Sequence, residues 1–281
     1  MIGKTYLLQL IKRAFTEDLG PGDHTSEACI PSNAFGKVNL LVKEPGIIAG
    51  VNIAKEVFRF ANPAIRVNTF IEDGSQVNTG DIVFTAEGSQ KSLLTAERTV
   101  LNFMQRMSGI ATETRRYADA VKPFNTQILD TRKTTPGLRL IEKEAVKIGG
   151  GTNHRIGLYD MIMIKDNHVD FSGGIVQAIE NVHNYLRAHS LYLKIEIEVR
   201  NFVELGEVLN HGGVDRIMLD NFSIENTATA VEQIAGRYET ESSGGITLQN
   251  IAGYAACGVD FISVGALTHH IKSLDLSLKA L

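Results

Sequence analysis

The stretch LDTRKTTPGLRLIEKEAVKIGGGTNHRIGLYDMIMIKDNH, from Leu129 to His168, decides how this chain is organised. Its cations stand at turns, after short apolar runs or after three glycines: Arg132, Lys133, His154, Arg155 and Lys165. The glycines, residues 149–151, cost backbone entropy and predict that the backbone comes close to another group. Arg presents a planar fork of donors to carboxylate or phosphate oxygens, and Lys presents a point charge. Cations at turns therefore suit a small, highly anionic substrate.

Outward from this stretch, short apolar runs alternate with helical segments to the end of the chain. Such alternation is typical of parallel βα units. We predict six strands, near residues 128–129, 161–164, 195–199, 217–219, 238–241 and 261–264. A polar residue or a glycine ends each of them: Asp130, Lys165, Glu198, Asp220, Glu241 and Gly265. In a βα barrel these ends form the face that carries active sites, so we predict a barrel with fewer strands than usual.

Two glycine-rich turns follow the last two predicted strands. They are Ser242–Gly245, with the sequence SSGG, and Ser263–Ala266, with the sequence SVGA. Backbone N–H groups of such loops, at the start of a short helix, commonly hold phosphate in barrels. The two turns therefore predict a phosphate site.

The first part of the chain has a different sequence pattern. Periodicity predicts a helix over Tyr6–Leu19, strands over Lys37–Val42, Arg66–Ile71 and Asp81–Ala86, and a helix capped by Asn52. These elements indicate a mixed sheet with a few helices.

A long helical region follows. It is predicted as a helix from Ser92 to Met107, a break at Ser108–Gly109, and a second helix from Ile110 to Val121. By pattern alone, Arg98 is an exposed cation on this helix.

Composition narrows the class of protein. The chain has 281 residues and a net charge of -4, which argues against a general nucleic-acid binder. It has two cysteines far apart in sequence, which suggests a reducing, cytoplasmic environment. We expect no signal peptide, since the N-terminus lacks the pattern of one, and no window is apolar enough to span a membrane.

A series of motifs then identifies a resemblance that covers essentially the whole chain. The motifs are Glu97–Thr99 (ERT), Ser108–Thr112 (SGIAT), Asp130–Thr134 (DTRKT), Pro136–Arg139 (PGLR), Gly149–Arg155 (GGGTNHR), Ile164–His168 (IKDNH), Glu196–Val199 (EIEV), Leu219–Asn221 (LDN), Glu241–Ile246 (ESSGGI) and Ser263–Thr268 (SVGALT). In their order and spacing they resemble the quinolinate phosphoribosyltransferase family of NAD biosynthesis.

The resemblance implies an α/β fold with two domains. Residues 1–112 would form an N-terminal α/β sandwich domain, on which the C-terminal end of the chain packs back. Residues 113–281 would form an incomplete, six- to seven-stranded α/β barrel of TIM type that carries catalysis. The resemblance also implies a homodimer in which Arg98 reaches the site of the neighbouring subunit.

The implied reaction joins quinolinate to phosphoribosyl pyrophosphate, and it releases pyrophosphate and CO2 to leave nicotinate mononucleotide. The two carboxylates of quinolinate require several cations, and we assign to them Arg98, Arg132, His154, Arg155 and Lys165. We assign to phosphoribosyl pyrophosphate Lys133, Glu198, Asp220, Ser243, Gly244, Gly245 and Gly265. The expected catalytic set is Lys133, Lys165, Glu198 and Asp220.

The reaction needs Mg²⁺ with phosphoribosyl pyrophosphate and no organic cofactor. Glu198 and Asp220 are the candidate Mg²⁺ ligands, because Mg²⁺ is usually held by one or two carboxylates plus substrate oxygens. They could instead bind the ribose hydroxyls, or act through water. Two other functions stay open: a phosphoribosyltransferase of the same fold with another acceptor, and a silent protein that only binds a phosphorylated ligand.

Overall fold

A computed structural model describes residues 2–281, and the chain divides into two compact units. The first comprises the residues up to 115 together with 134–150 and 267–281, and the second comprises 116–133 and 151–266. The units are interleaved along the chain, and the domain boundary predicted after residue 112 stays a prediction. No helix within residues 2–281 is long and apolar enough to cross a membrane.

The first unit is built on a four-stranded antiparallel sheet in the order β12-β1-β5-β3, with a two-stranded ladder of β2 and β4 beside the chain's third helix in sequence. Its helices are α1 Lys4–Leu19, α2 His24–Cys29, α3 Val51–Ala61, α4 Gln90–Val121, which continues into the second unit, α5 Arg139–Ile148 and α11 Ala266–His269. Its strands are β1 Phe35–Val42, β2 Gly46–Ile47, β3 Arg66–Thr69, β4 Gln76–Val77, β5 Ile82–Ser89 and β12 Leu276–Ala280.

The C-terminal strand β12 pairs with β1 along its whole length, from Val38 opposite Ala280 to Val42 opposite Leu276. Buried residues alternate along β1, and the same period of two is seen in its sequence. The sheet is antiparallel throughout, so the predicted mixed sheet is wrong in this respect.

The long helix α4 runs unbroken through Ser108 and Gly109, so the predicted break at these two residues is wrong. The Ser108 hydroxyl accepts a hydrogen bond from the Ala49 backbone N–H at 2.9 Å and donates one to the Ala49 carbonyl at 3.2 Å. A side chain at Gly109 would place its Cβ 2.2 Å from the carbonyl oxygen of Lys272. Small residues occur here because other parts of the chain pack directly against the helix, and the helix does not end.

The start of α3 also differs from the prediction. The helix is capped by Gly50 and not by Asn52, and the first helical N–H, that of Val51, donates to the carboxylate of Asp73 at 2.9 Å. The side chain that accepts from this first N–H therefore belongs to a residue distant in sequence, which a local pattern does not show.

The second unit is a parallel sheet of six strands in the order β6-β11-β10-β9-β8-β7. Its strands are β6 Gln127–Leu129, β7 Ile162–Ile164, β8 Ile195–Val199, β9 Arg216–Asp220, β10 Glu239–Ser243 and β11 Phe261–Ser263. Its helices are α6 Asp166–Ser172, α7 Ile175–His189, α8 Phe202–His211, α9 Ile224–Ile234 and α10 Ile251–Ala256. All six strands predicted from the sequence are confirmed.

The sheet curls so that its first strand, β6, pairs with its last, β11, as in a barrel. Among the described residues no ladder joins β6 to β7, so the barrel is open there. Thr152 lies at this opening and forms an isolated parallel bridge with Leu129. The predicted incomplete barrel is confirmed.

The three glycines before this bridge begin at Gly149, which belongs to the first unit. A Cβ at Gly149 would lie 2.5 Å from the carbonyl oxygen of Ala111 and 2.6 Å from the Cβ of Thr114, both on α4. The close approach predicted from three glycines is therefore, at Gly149, an approach to a helix of the protein.

Strand alternation decides what faces the barrel interior. Ile195, Ile197 and Val199 of β8 belong to the apolar cluster that includes residues of α6–α9. The intervening residues, Glu196 and Glu198, therefore point to the opposite face, into the barrel. The same alternation turns Arg216, Met218 and Asp220 of β9 inward, and Glu239, Glu241 and Ser243 of β10.

Candidate active site

One cavity, with a volume of about 620 Å³, lies at the carboxyl ends of the barrel strands. Active sites of barrel enzymes are built at this end. Its lining contains every site residue predicted from the sequence except Arg98 and Gly265. The lining residues are Thr131, Arg132, Lys133, His154, Arg155, Met163, Lys165, Glu198, Met218, Asp220, Asn221, Glu241, Ser243, Gly244, Gly245 and Ser263.

The order of strands sorts these groups by charge around the cavity. The segments that follow β6 and flank β7 carry the cations, which are Arg132, Lys133, Arg155 and Lys165. The ends of β8 and β9 carry the carboxylates of Glu198 and Asp220. The end of β10 carries the turn Ser243–Gly245. The cavity therefore offers separate cationic, acidic and glycine-rich sectors.

The two arginines of the cationic sector lie near one another. Burial lowers the pKa of the Arg155 guanidinium, and the positive charge of Arg132 lowers it further. Arg155 is buried, and its Nη1 donates to the Met161 carbonyl at 3.3 Å. Like charges held together in a cavity favour the binding of an anion, because an anion relieves their repulsion.

Lys165 joins the cationic sector to the acidic one. Its Nζ lies 2.6 Å from Oε2 of Glu198. The backbone N–H of Lys165 donates to Nδ1 of His168 at 2.9 Å, which fixes the start of α6. The side chain of Lys165 is 43% exposed and that of Glu198 is 8% exposed, so a ligand in the cavity can reach the lysine.

The glycine-rich turn is packed against the end of β9. Gly244 has φ +91°, and a Cβ there would lie 2.2 Å from Oδ1 of Asn221. The Asn221 backbone N–H donates to the Ser243 carbonyl at 2.8 Å, and its side-chain amide donates to Asp220 at 2.7 Å. Because residue 244 is glycine, the turn Ser243–Gly245 can pack directly against the end of β9, next to the acidic sector.

The barrel interior next to the cavity holds a buried charged cluster that joins His154, a predicted site residue, to Glu196, Glu241 and Arg216, which were not predicted for the site. Nε2 of His154 lies 3.0 Å from Oε2 of Glu196 and 3.4 Å from Oε2 of Glu241. Nη1 of Arg216 donates to the same oxygen of Glu241 at 3.0 Å. Both glutamates are fully buried. Barrel interiors are usually filled by Val, Ile and Leu, so buried charge here indicates a role for the site.

The ionisation of this cluster is strongly perturbed. Burial by itself lowers the pKa of His154, but the two carboxylates outweigh it and raise the pKa to about 9. Burial raises the pKa of Glu196, and the charge of Glu241 adds to this effect. Burial also opposes ionisation of Glu241, but contacts with His154, Ser263 and Arg216 hold its pKa below the ordinary value.

Two observations assign the proton of His154 differently. The raised pKa favours an imidazolium, whereas the Arg155 backbone N–H donates to Nδ1 at 2.6 Å. A hydrogen on Nδ1 would point at that N–H, so the geometry decides for an unprotonated Nδ1 with the ring hydrogen on Nε2. The raised pKa then belongs to the coupled histidine and carboxylates together.

A signal for the cluster was present in the sequence. In the strand Ile195–Val199, IEIEV, two glutamates alternate with apolar residues, so both must point to one face. That face could be recognised as the barrel interior only once the apolar residues were seen to pack against helices. Arg216 gave no such signal, since it is a single cation at the start of a strand.

The remaining predicted residues lie elsewhere. Gly265 follows β11 and is not part of the cavity lining. Arg98 is an exposed residue of α4 in the first unit. Its expected place at the site of a neighbouring subunit stays a prediction.

Several known proteins are similar to this chain over almost its whole length. The family profiles "Quinolinate phosphoribosyl transferase, N-terminal domain" and "C-terminal domain" match residues 23–108 and 110–279. A chloroplastic nicotinate-nucleotide pyrophosphorylase (carboxylating) of Arabidopsis thaliana is 47% identical over 98% of this chain and 83% of its own. The Mycobacterium leprae protein of that name is 43% identical over 95% of both chains.

A solved structure is also similar to this chain. The nicotinate-nucleotide pyrophosphorylase from Francisella tularensis superposes with a TM-score of 0.93 at 38% identity, covering 100% of this chain and 98% of that one. With two profiles that together span almost all of the sequence, the conclusion is direct: this chain belongs to the quinolinate phosphoribosyltransferase family.

Proposed function

We propose that this chain transfers the phosphoribosyl group of phosphoribosyl pyrophosphate to quinolinate and decarboxylates the product to nicotinate mononucleotide. Pyrophosphate and CO2 leave. Family membership and the names of the relatives support this function. The observation that carries it is the sorting of cationic, acidic and glycine-rich sectors around one cavity. A dicarboxylate, a ribose and a phosphate each have a matching sector there.

The cationic sector is proposed to hold quinolinate. Its two adjacent carboxylates can each accept hydrogen bonds from a guanidinium, and Arg132 and Arg155 are close enough to repel one another in the absence of an anion. Lys165 adds a charge whose present partner is Glu198. An acceptor with a single carboxylate, such as nicotinate, would leave part of this charge unpaired.

The acidic and glycine-rich sectors are proposed to hold phosphoribosyl pyrophosphate. Ser243, Gly244 and Gly245 would bind the 5′-phosphate through backbone N–H groups, with Gly265 in the next turn. Lys133 is exposed at the cavity and is suited to the pyrophosphate. Glu198 and Asp220 would face the ribose between these phosphate groups.

The reaction then depends on how the two substrates are positioned and on the charges of the protein around them. Cleavage at the anomeric carbon builds positive charge on the ribose, which the carboxylates of Glu198 and Asp220 would stabilise. The ring nitrogen of quinolinate attacks that carbon, so no protein nucleophile is needed. Once alkylated, this nitrogen is positive and stabilises the carbanion left by the departing CO2.

Glu198 and Asp220 also fit Mg²⁺, because their carboxylate oxygens come from neighbouring strands and line the same cavity. When bound with the substrate, Mg²⁺ offsets the charge of the departing pyrophosphate. Glu198 contributes to the site without the ion as well, since it pairs with Lys165 at 2.6 Å.

The proposal includes a homodimer in which Arg98 completes the quinolinate site of the neighbouring subunit. The exposure of Arg98 on α4 supports this role, because an exposed cation is available to another chain. We also propose a cytoplasmic location, supported by two free cysteines. The Arabidopsis relative is named as chloroplastic.

The test is release of pyrophosphate and CO2 with phosphoribosyl pyrophosphate and Mg²⁺, comparing quinolinate with nicotinate. Release of both products in equal amounts with quinolinate alone supports the proposal. Release with nicotinate would keep the fold and overturn the assigned acceptor. Binding of both substrates without turnover would make the chain a silent binding protein.

A further inference from the structure

The imidazole of His154 is engaged by the protein through both of its ring nitrogens. Nδ1 accepts from the backbone N–H of Arg155 at 2.6 Å, and Nε2 faces the carboxylates of Glu196 and Glu241 at 3.0 and 3.4 Å. The backbone N–H of His154 itself donates to the buried carboxylate of Asp130 at 2.8 Å. The ring thus connects the barrel interior with the backbone of a cavity arginine.

The contacts on the two sides of the His154 ring are linked, because both depend on which ring nitrogen carries the hydrogen. A carboxylate can only accept, so Glu196 and Glu241 draw the ring hydrogen to Nε2. With its hydrogen there, the imidazole presents the lone pair of Nδ1 to the Arg155 N–H. The carboxylates and the Arg155 N–H therefore favour the same tautomer, and the carboxylates strengthen that preference.

We propose that Glu196 and Glu241 are positioning residues of the acceptor site, which fix the tautomer of His154 and, through its Nδ1, the backbone of Arg155. The inference rests on the proposed function, in which Arg155 binds quinolinate. It adds Glu196 and Glu241 to the residues that select the acceptor. His154 then supports Arg155, with its ring nitrogens turned to protein groups.

The free-energy cost of burying these two carboxylates indicates that they have a functional role. Two carboxylates buried in a barrel lose their hydration, and apolar residues of similar size would fill the same space at less cost. The charges that surround the ring are Glu196 of β8, Glu241 of β10, Arg216 of β9, Asp130 after β6 and the adjacent Arg155. Arg216 also stacks over the ring of Phe261, with its Cζ 3.9 Å from the centroid, which holds the cation in the cluster.

The experiment compares three substitutions. Glu196→Met keeps the approximate volume and removes the acceptor, whereas Glu196→Gln keeps an acceptor oxygen for Nε2–H. Glu239→Gln is the matched control: Glu239 also contacts Arg216, at 3.1 Å, but its side chain is 37% exposed. Quinolinate and phosphoribosyl pyrophosphate KM values are measured for each, with the tautomer of His154 read from ¹⁵N-histidine NMR and assigned with His154→Gln.

We expect Glu196→Met to raise the quinolinate KM about tenfold and the phosphoribosyl pyrophosphate KM less than about twofold, because the 3.0 Å contact between Nε2 of His154 and the Glu196 carboxylate is lost. Glu196→Gln should restore most of the quinolinate affinity, and Glu239→Gln should match the wild type. In the wild-type spectrum Nδ1 should be unprotonated and Nε2 protonated, and in Glu196→Met the ¹⁵N signals of both nitrogens should move towards those of a tautomeric mixture.

Equal rises of both KM values would overturn the proposal, because they would indicate a general loss of structure. If Glu196→Met does not fold, the wild-type spectrum still decides: a protonated Nδ1 contradicts the proposed link to Arg155. If the wild type does not turn over quinolinate at all, the proposed function fails, while the spectrum still tests the arrangement of His154.

Discussion

Replacing Gly244 by Ala tests how the glycine-rich turn is built. The residue has φ +91°, a left-handed conformation that costs an L-residue about 1–2 kcal/mol. The new Cβ would also lie 2.2 Å from Oδ1, 2.6 Å from Cγ and 3.0 Å from the backbone nitrogen of Asn221. Overpacking of this kind adds about 1–3 kcal/mol. We therefore expect the free energy of unfolding to fall by roughly 2–5 kcal/mol.

Gly173 provides a closely matched control. Its φ is +92°, but a Cβ there meets nothing within 4 Å. Gly173→Ala should therefore lower the free energy of unfolding by only about 1–2 kcal/mol. The difference between the two variants, measured by urea denaturation, isolates the contact with Asn221.

The same substitution should affect one substrate more than the other. Asn221 must move to admit the methyl group, and its side-chain amide then loses its 2.7 Å hydrogen bond to Asp220. We expect the KM for phosphoribosyl pyrophosphate to rise about tenfold or more and that for quinolinate to change little. Equal stability of the Gly244→Ala and Gly173→Ala proteins, or an unchanged KM for phosphoribosyl pyrophosphate, would refute this account of the turn.

Three further substitutions test other parts of the structure. Arg132→Ala should raise the KM for quinolinate far more than that for phosphoribosyl pyrophosphate in steady-state assays, and an equal rise would contradict the separation of sectors. Arg98→Ala mixed with Lys165→Ala should regain activity if sites are shared across a dimer, and no recovery after confirmed subunit exchange would count against sharing. Glu142→Ala should lower the free energy of unfolding by roughly 3 kcal/mol in urea, because this fully buried carboxylate accepts three hydrogen bonds, two from Arg106 at 2.8 and 2.6 Å and one from a backbone N–H. Glu144→Ala on the same helix, whose ion pair with Lys147 is partly exposed, should cost less than about 1 kcal/mol, and a similar loss in both variants would disprove the assigned importance of burial.

Of the six barrel strands, β10, Glu239–Ser243, is polar and gave only a weak signal, whereas the other five were predictable because each is a short apolar run between turns. Ile195–Val199 shows this well, since its apolar residues alternate with glutamates and its ends lie at polar segments. The cavity cations were predictable for a related reason. Residues such as Lys165 come directly after a strand, and parallel strands bring their carboxyl ends to one edge.

The error at Ser108–Gly109 has the opposite origin. Serine and glycine usually weaken a helix, and a local pattern gives no reason to continue α4 through them. The helix continues because Ala49 hydrogen-bonds to Ser108 and the backbone of Lys272 packs against Gly109. These partners are distant in sequence, so tertiary packing outweighs the local preference.

By itself the sequence determined the barrel, the order of its strands along the chain and the residues that end them, because these depend on a period of two and on turn chemistry. Only the tertiary structure decided which faces of the strands look inward, and hence that Glu196 and Glu241 meet His154 and that Arg216 meets Glu241 next to the cavity. Their attraction acts between strands that are neighbours in the sheet or across the barrel. Distances of this kind are set by the curvature and register of the sheet, which no local stretch of sequence contains.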